Sequence, residues 1–493
     1  MLNASFTVDP SFRVGEVDPR LYGSFVEHMG RCVYTGIYEP GHPSADADGF
    51  RTDTAELVRE LGVPIVRYPG GNFVSGYKWE DGIGPQSDRP TRLDLAWRSI
   101  ETNQVGVQEF AKWASGVGVD TMMAVNLGTR GIDAARSLVE FCNLRGGTYW
   151  SDLRGGDPYG VKVWCLGNEM DGPWQIGHKT ADEYARLAHE TAKAMRQVDP
   201  TIELVACGSS SLAMPTFGSW ENTVLTETYD VVDYVSMHGY YEQHGDDRDS
   251  FLAAAAGMDR FIDAVVATAD HVRAVGRHKK KINISFDEWN VWYQSQFAGE
   301  TNLDIGETPP LIEDVYSVTD AVVVGNLLIS LLRHADRVKI GCLAQLVNVI
   351  APIMTEPGGP AWRQASFHPM ALTAKHGLGT VLRVEPAAPR YETAEHGEQP
   401  LLDAVAVQGE SGVTIFAVNR SQTEPMAVDV DLRSLTSLTT ATHTALSDDD
   451  PDAINTKDQP DRVTTRRLDD PKLDAGRLQA VLPRLSWNMV QIS

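Results

Sequence analysis

Two short apolar runs end in a glutamate beside other polar residues. Trp164-Cys165-Leu166-Gly167 leads into Asn168-Glu169, and Ile284-Ser285-Phe286 leads into Asp287-Glu288-Trp289-Asn290. Two carboxyl groups held across one cleft can cleave a glycosidic bond: one protonates the departing oxygen while the other attacks the anomeric carbon or activates water. A gap of about 5–5.5 Å between them gives retention and one of about 6.5–9.5 Å gives inversion. Either string alone reads as readily as a helix cap or a surface turn, and position separates the readings. The two glutamates close the fourth and seventh of eight strand patterns, and the other strand ends are polar too. Strand one ends in Glu27-His28, strand two runs into Arg67-Tyr68-Pro69-Gly70-Gly71-Asn72, and strand three ends in Asn126. Strand six ends in His238-Gly239-Tyr240, and strand eight carries Gln345. All of these groups are expected to face one cleft. His238 and His244 could begin a metal site, but no third nearby His or Cys completes a ligand set, so neither metal nor cofactor is expected. Arg67 is expected to keep a buried carboxylate ionised rather than to bind an anionic substrate. Trp97, Trp174 and Trp292 fall in the same loops, where indole rings can stack on the C–H faces of a sugar, whereas Trp289 reads as core.

Such a cleft needs a scaffold, and the hydrophobic period supplies one. Eight short runs rich in Val, Ile and Tyr are expected as strands: 21–27, 63–68, 121–126, 161–168, 202–208, 234–240, 282–288 and 342–347. Between them, 52–61, 107–115, 133–141, 181–198, 251–275 and 315–334 place apolar residues at three- and four-residue steps, as amphipathic helices do. This alternation predicts a (β/α)8 TIM barrel over residues 19–377, in which reactive groups sit at the C-terminal ends of the strands. An open doubly wound sheet fits less well, because no Gly-rich phosphate turn follows the first strand. Beyond residue 377 the pattern changes to short alternating strands with no long helix, which predicts an all-β sandwich, jelly-roll-like, over 378–493. Residues 1–18, with a strand expected at 5–8, precede the barrel and could join that sandwich. The acidic segment 447–462 is expected as a solvated loop.

Composition narrows the functional classes. Of 493 residues, 43 are Lys or Arg and 67 are Asp or Glu, a formal charge of −24, so a nucleic-acid partner is not expected. Hydrophobic residues make up 42%, enough for a large core. The longest apolar span, 321–332, reaches only about half of the ~20 residues a membrane helix needs. The first residues show neither a basic start nor a long apolar run, so a cytoplasmic location without membrane attachment is expected. The five cysteines are scattered without CxxC spacing and are expected as reduced core thiols.

Longer strings carry a resemblance. LYGSFVEH at 21–28, RYPGGNFVSGYKWEDGIGP at 67–85, RLDLAWRSIETNQVG at 92–106, WCLGNEMDGPWQIGHK at 164–179, SMHGYY at 236–241, ISFDEWNVWY at 284–293 and AQLVNVIAPIMT at 344–355 resemble glycoside hydrolase family 51, the retaining α-L-arabinofuranosidases of clan A. The likeness runs over essentially the whole chain. It implies Glu169 as general acid/base and Glu288 as nucleophile of an exo-acting enzyme that releases terminal α-L-arabinofuranosyl residues from arabinan and arabinoxylan oligosaccharides. It implies Asn168 at the sugar 2-hydroxyl, Glu27, Asn72 and Gln345 at the other hydroxyls, His238 and Tyr240 orienting the nucleophile, and Trp97 and Trp292 as apolar walls. It also implies a homo-oligomer, often a hexamer. The two glutamates alone would equally serve a β-xylosidase, a galactofuranosidase or an endo-glucanase, and a non-catalytic sugar-binding protein would keep the cleft without turnover.

Overall fold

The computed structural model describes residues 1–493. Eight parallel strands close into a barrel: β1 (Gly23–Phe25), β2 (Ile65–Tyr68), β3 (Asp120–Val125), β4 (Val163–Leu166), β5 (Glu203–Ala206), β6 (Tyr234–Tyr241), β7 (Asn283–Val291) and β8 (Val338–Leu343). All eight expected strands are present. β2, β4 and most of β7 are buried along their whole length, which explains why they read as continuous apolar runs rather than alternating ones. β8 starts earlier than its sequence suggests, because Lys339 and Gly341 interrupt the run, and Gln345 therefore lies two residues past its end.

The helices between strands are set by their caps as well as by their period. Thr180 caps Ala181–Val198 by accepting from Glu183 N–H, while Glu183 reaches back to Thr180. The stretch expected as one helix over 251–275 breaks in two, Arg248–Leu252 and Ala255–Gly276, with Asp247 capping the first. Two longer helices went unforeseen, Ser219–Thr228 and Phe367–His376, besides the short Asn72–Gly76 and Tyr149–Arg154. The first has only Trp220, Val224 and Leu225 as large buried apolar residues, too few for a clear period.

A second layer system lies beside the barrel. Seven strands pair in the order Arg13–Glu16, Thr380–Leu382, Leu402–Gln408, Val413–Asn419, Ser486–Ile492, Ala441–Leu446 and Arg466–Arg467. Four more pair in the order Leu2–Thr7, Met426–Asp431, Arg477–Leu482 and Lys472–Asp474. The first strand of the chain thus joins a sheet made of its last third, pairing parallel with Met426–Asp431 from Leu2↔Met426 to Thr7↔Asp431. The two sheets enclose their own apolar core, including Phe6, Leu402, Ile415, Val428 and Leu478.

Helix Val318–Arg333 joins the two systems. It is buried from Val318 to Leu332, packing on the barrel and on the strands Leu402–Gln408, Val413–Asn419 and Ser486–Ile492. Burial on every side accounts for the most apolar span of the sequence, and no helix is long and apolar enough to cross a membrane. The acidic segment 447–462 departs from expectation. Its aspartates are largely exposed, but Ala453 and Asn455 are buried, Val318 N–H donates to Ala453 O, and Asn455 Nδ2 donates to the Arg363 and Val463 carbonyls. The segment is a clasp of the sheet layer onto the barrel, where charge composition alone pointed to a free loop. All five cysteines are buried and unbridged.

Candidate active site

At the C-terminal ends of the strands lies a cavity of about 410 Å³. Its floor and walls combine Phe25, Met29, Ile312, Val349 and Ile350 with a small polar set. Of the residues singled out from sequence, Glu27, Asn72, Trp97, Glu169, Trp174, Tyr240, Glu288, Trp292 and Gln345 line this cavity. Arg67, Asn168 and His238 lie immediately behind it, buried and bonded to the lining groups. The other strand-end groups expected in the cleft do other work. His28 pairs with Glu101 and Tyr68 and stacks on Phe73, Asn126 caps its own loop by accepting from three backbone N–H groups, and Asn290 holds the Ala344 and Ile350 carbonyls. Trp289 is core, as its sequence context suggests.

Glu288 projects from within β7 because the strand continues past the barrel rim to Val291. Its Oε1 accepts from Arg67 Nη1 at 2.6 Å and its Oε2 from the Tyr240 hydroxyl at 2.7 Å. The second arm of the Arg67 fork donates to Asn168 Oδ1 at 2.6 Å. One fully buried guanidinium therefore fixes both the Glu288 carboxylate and the Asn168 amide, whose Nδ2 points to Asn72 and Gln175 at 3.4 Å each. Burial works against the Arg67 charge, but Asp287 and Glu288 hold it well above the usual range.

Glu169 sits three residues past β4, in a left-handed backbone conformation with φ of 42°. This conformation costs a non-glycine residue on the order of 1–3 kcal/mol and persists only where surrounding contacts hold it. Those contacts are two donors: His238 Nδ1–H to Oε1 at 2.8 Å and Trp174 Nε1–H to Oε2 at 2.8 Å. His238 links the two glutamates, its Nδ1 lying 3.5 Å from Glu288 Oε2. Its other nitrogen meets Asp287 Oδ1 at 3.2 Å, and Ser236 donates to the same oxygen. Burial opposes protonation of this ring, yet the charge of Glu288 and the bonds to Asp287 and Glu169 raise it to about 10. Glu169, His238 and Glu288 offer one ligand atom each within 4.8 Å of one another. Each of these atoms is already engaged, His238 Nδ1 with Glu169 and the Glu288 oxygens with Arg67 and Tyr240, so the set reads as a hydrogen-bonded pair of carboxyls.

Glu27 differs from both. It accepts from Phe73 N–H and Trp97 Nε1–H at 2.9 Å each, with Gln345 Nε2 at 3.4 Å. Burial, against these bonds and assisted by the charge of Glu288, pushes its carboxyl up to about 8. Gly70 and Gly71 let the backbone approach it, since a Cβ on Gly70 would stand 2.7 Å from Glu27 Cγ. Trp292 meets Tyr240 edge-on at 5.0 Å, and its buried Nε1 has no partner in the protein. Sequence reading passed over Asp287 as a partner of His238 and Arg67, over Asp171 as the partner of Ser210, and over Ser210, Met214, Gln294 and Glu300 at the cavity. Asp287 stood next to Glu288 in the motif, but nothing in the string shows that His238 and Arg67 come to stand beside it.

Comparison with known proteins places this geometry. Residues 57–255 match the family model described as alpha-L-arabinofuranosidase 1 domain, and residues 287–486 the one described as alpha-L-arabinofuranosidase C-terminal domain. The chain is 60% identical over 499 residues to the intracellular exo-alpha-(1->5)-L-arabinofuranosidase of Streptomyces lividans, covering all of this chain and 75% of that protein. It is 52% identical over 505 residues to an exo-alpha-(1->6)-L-arabinofuranosidase of Bifidobacterium longum, covering 98% and 96%. Among solved structures, a family 51 alpha-L-arabinofuranosidase from Bifidobacterium longum superposes with a TM-score of 0.95 at 45% identity over the whole of both chains. The arabinose complex of the Thermotoga maritima alpha-L-arabinofuranosidase gives 0.87 at 33%, covering 100% of this chain and 99% of that one.

Proposed function

The chain belongs to the α-L-arabinofuranosidases of glycoside hydrolase family 51, and from that premise we propose how its cavity works. The protein is an exo-acting α-L-arabinofuranosidase that removes terminal non-reducing α-L-arabinofuranosyl residues from oligosaccharides by double displacement. Glu288, held by Arg67 and Tyr240, attacks C1 as Glu169 gives its proton to the departing oxygen. Glu169 then takes a proton from water, and the Glu288 ester is hydrolysed with retention. The observation that carries this reading is the spacing of the two carboxyls: their facing oxygens lie within 4.8 Å, which supports the close pair of a retaining enzyme over the gap of about 6.5–9.5 Å in an inverting one.

Glu27, Asn72 and Gln345 are read as the sugar-hydroxyl partners and Trp97 and Trp292 as the walls. Asn168, behind the lining, reaches the 2-hydroxyl through its Nδ2 edge, while His238 and Tyr240 hold the two carboxylates in register. Residues 19–377 are read as the catalytic barrel, and 378–493 with 1–18 as the sandwich. Relatives at 60%, 54% and 53% identity are named intracellular, which supports action inside the cell. We also propose a homo-oligomer, a hexamer. Leu93, Leu95 and Ile305, exposed on neighbouring loops, offer apolar surface for such assembly, and light scattering at six chain masses is its test.

Initial rates on 4-nitrophenyl α-L-arabinofuranoside test the mechanism, with the β-D-xyloside and β-D-galactofuranoside alongside. The arabinofuranoside is expected to react fastest. Glu288→Ala should lose about five orders of magnitude in kcat, in line with removal of a covalent nucleophile. Glu169→Ala should spare substrates with good leaving groups far more than arabinobiose, and near wild-type turnover in both variants refutes the assignment.

A further inference from the structure

Glu169 holds one hydrogen bond that the double-displacement scheme leaves unused. Its Oε1 accepts from deeply buried His238, whereas its Oε2 accepts from Trp174, a residue 44% exposed at the cavity wall. The indole folds back onto Glu169 only because residue 172 is glycine. A Cβ there would stand 2.5 Å from Trp174 Cε2, 2.7 Å from Cζ2 and 3.0 Å from Nε1. The turn beneath is anchored independently. The buried Asp171 carboxylate accepts from Ser210 N–H at 3.0 Å and from its hydroxyl at 3.1 Å, tying the loop after β4 to the loop after β5. The loop base is thus held, and the ring stands at its exposed edge.

We propose that Trp174 is a positioning residue that switches Glu169 between its two roles, holding it as a base while the aglycone side is empty and releasing it as an acid when an aglycone arrives. This rests on the reading of Glu169 as the acid/base. An N–H donor favours the ionised carboxyl over the neutral one. An aglycone entering beside Glu169 takes the space of the indole, and the bond is lost as the glycosidic oxygen comes within reach. In the first step the proton passes from Glu169 to that oxygen, the C1–O bond breaks, and Glu288 bonds C1. Once the alcohol leaves, the indole folds back over Gly172 and steadies the carboxylate that must take a proton from water while water oxygen replaces Glu288 on C1. The titratable groups facing Glu169 are His238 and Tyr240 from β6, Glu288 from β7 and Asp171 on its own loop, and the substitutions below alter none of them.

The test compares Trp174→Phe, which keeps a ring without the N–H, with Gly172→Ala, which keeps the indole but pushes it off Glu169. Both should raise the proton affinity of Glu169, so two pH limbs should move in the same direction. With 4-nitrophenyl α-L-arabinofuranoside, the acid limb of kcat and the alkaline limb of kcat/KM should each shift upward by about half to one pH unit. At a pH on the acid limb, kcat should fall roughly threefold to tenfold as the base form is depleted. A rise in KM with both limbs in place, or a uniform drop in kcat, overturns the proposal in favour of an aglycone contact or a structural role. Glu169→Ala with and without azide is the third arm. Loss of the alkaline limb with azide rescue upholds the acid/base reading, so unmoved limbs in the other variants then count against Trp174 alone. A retained limb without rescue overturns both.

Discussion

Glu27 is a carboxyl without a cation. Its partners are a backbone N–H, an indole N–H and an amide, and the nearest charge that matters to it is the repelling one on Glu288. A group pushed up to about 8 keeps its proton at neutral pH and can donate to a sugar hydroxyl, whereas in the unfolded chain it ionises in the ordinary carboxylate range. The linkage sign follows: the fold loses stability progressively as pH rises from that range through about 8, and the loss is constant above it. Glu27→Gln mimics the neutral form, so its Tm should fall less than the wild-type Tm between pH 6 and 9. Parallel melting curves across that range would contradict the assignment. At this scale the pair proposed as reactive was legible as a pair because strand ends expose their residues to one cleft. The charge states were not, since they depend on what comes to stand beside each group: Arg67 from β2 beside Glu288, nothing cationic beside Glu27.

Among the elements, helix Val318–Arg333 shows how packing overrides propensity. Its Gly325 costs helix stability, by roughly 1 kcal/mol relative to Ala. Yet a Cβ at this position would stand 2.2 Å from Trp487 Cδ1, the indole of the sheet layer lying directly on the helix. Gly325→Ala should therefore destabilise the protein by about 1–3 kcal/mol in chemical denaturation, despite its higher propensity, as overpacking of a rigid core does. A stabilised variant would mean the indole yields. The strands of the barrel were readable because each is short, apolar and set off by turns. β8 was misplaced because Lys339 and Gly341 interrupt its apolar run, and the clasp at 447–462 was missed because its buried Ala453 and Asn455 are a small residue and a polar one, invisible to a hydrophobic pattern.

Taken whole, barrel and sheets share a packed boundary and are expected to unfold together. The barrel's core cluster includes Val405, Phe416, Val418, Leu446, Trp487 and Met489 from the seven-stranded sheet. A buried polar network crosses the same boundary: Arg420 donates to Asn326 Oδ1 at 2.6 Å and Asp403 Oδ2 at 2.9 Å, and Arg333 joins Asp403 to Asp259. Arg420→Met leaves Asn326 and Asp403 short of a donor and should cost about 3–5 kcal/mol while calorimetry still shows one transition. Two separated transitions in the wild-type protein would refute the shared core. Acid should act through the same boundary. Burial works against the Asp259 charge, but the His334 bond and the Arg333 guanidinium outweigh it and hold the group at about 2. A depressed carboxylate contributes stability that is complete above the ordinary carboxylate range and is lost as pH falls toward about 2. Asp259→Asn should therefore flatten the decline in Tm between pH 5 and 2.

Chain order and residue type were enough to read the barrel, the β-rich last part of the chain and the family, and to single out the two glutamates proposed as the reactive pair, because each leaves a local mark: a period, a turn, a motif at a strand end. Folding settled what depends on residues far apart in the chain. Leu2–Thr7 found its partner in Met426–Asp431, Asp287 turned to His238, and Gly172 made room for Trp174 to reach Glu169. Separations, charge states and the neighbours of a buried group are set by three-dimensional packing, in which any element can meet any other, and no linear pattern encodes them.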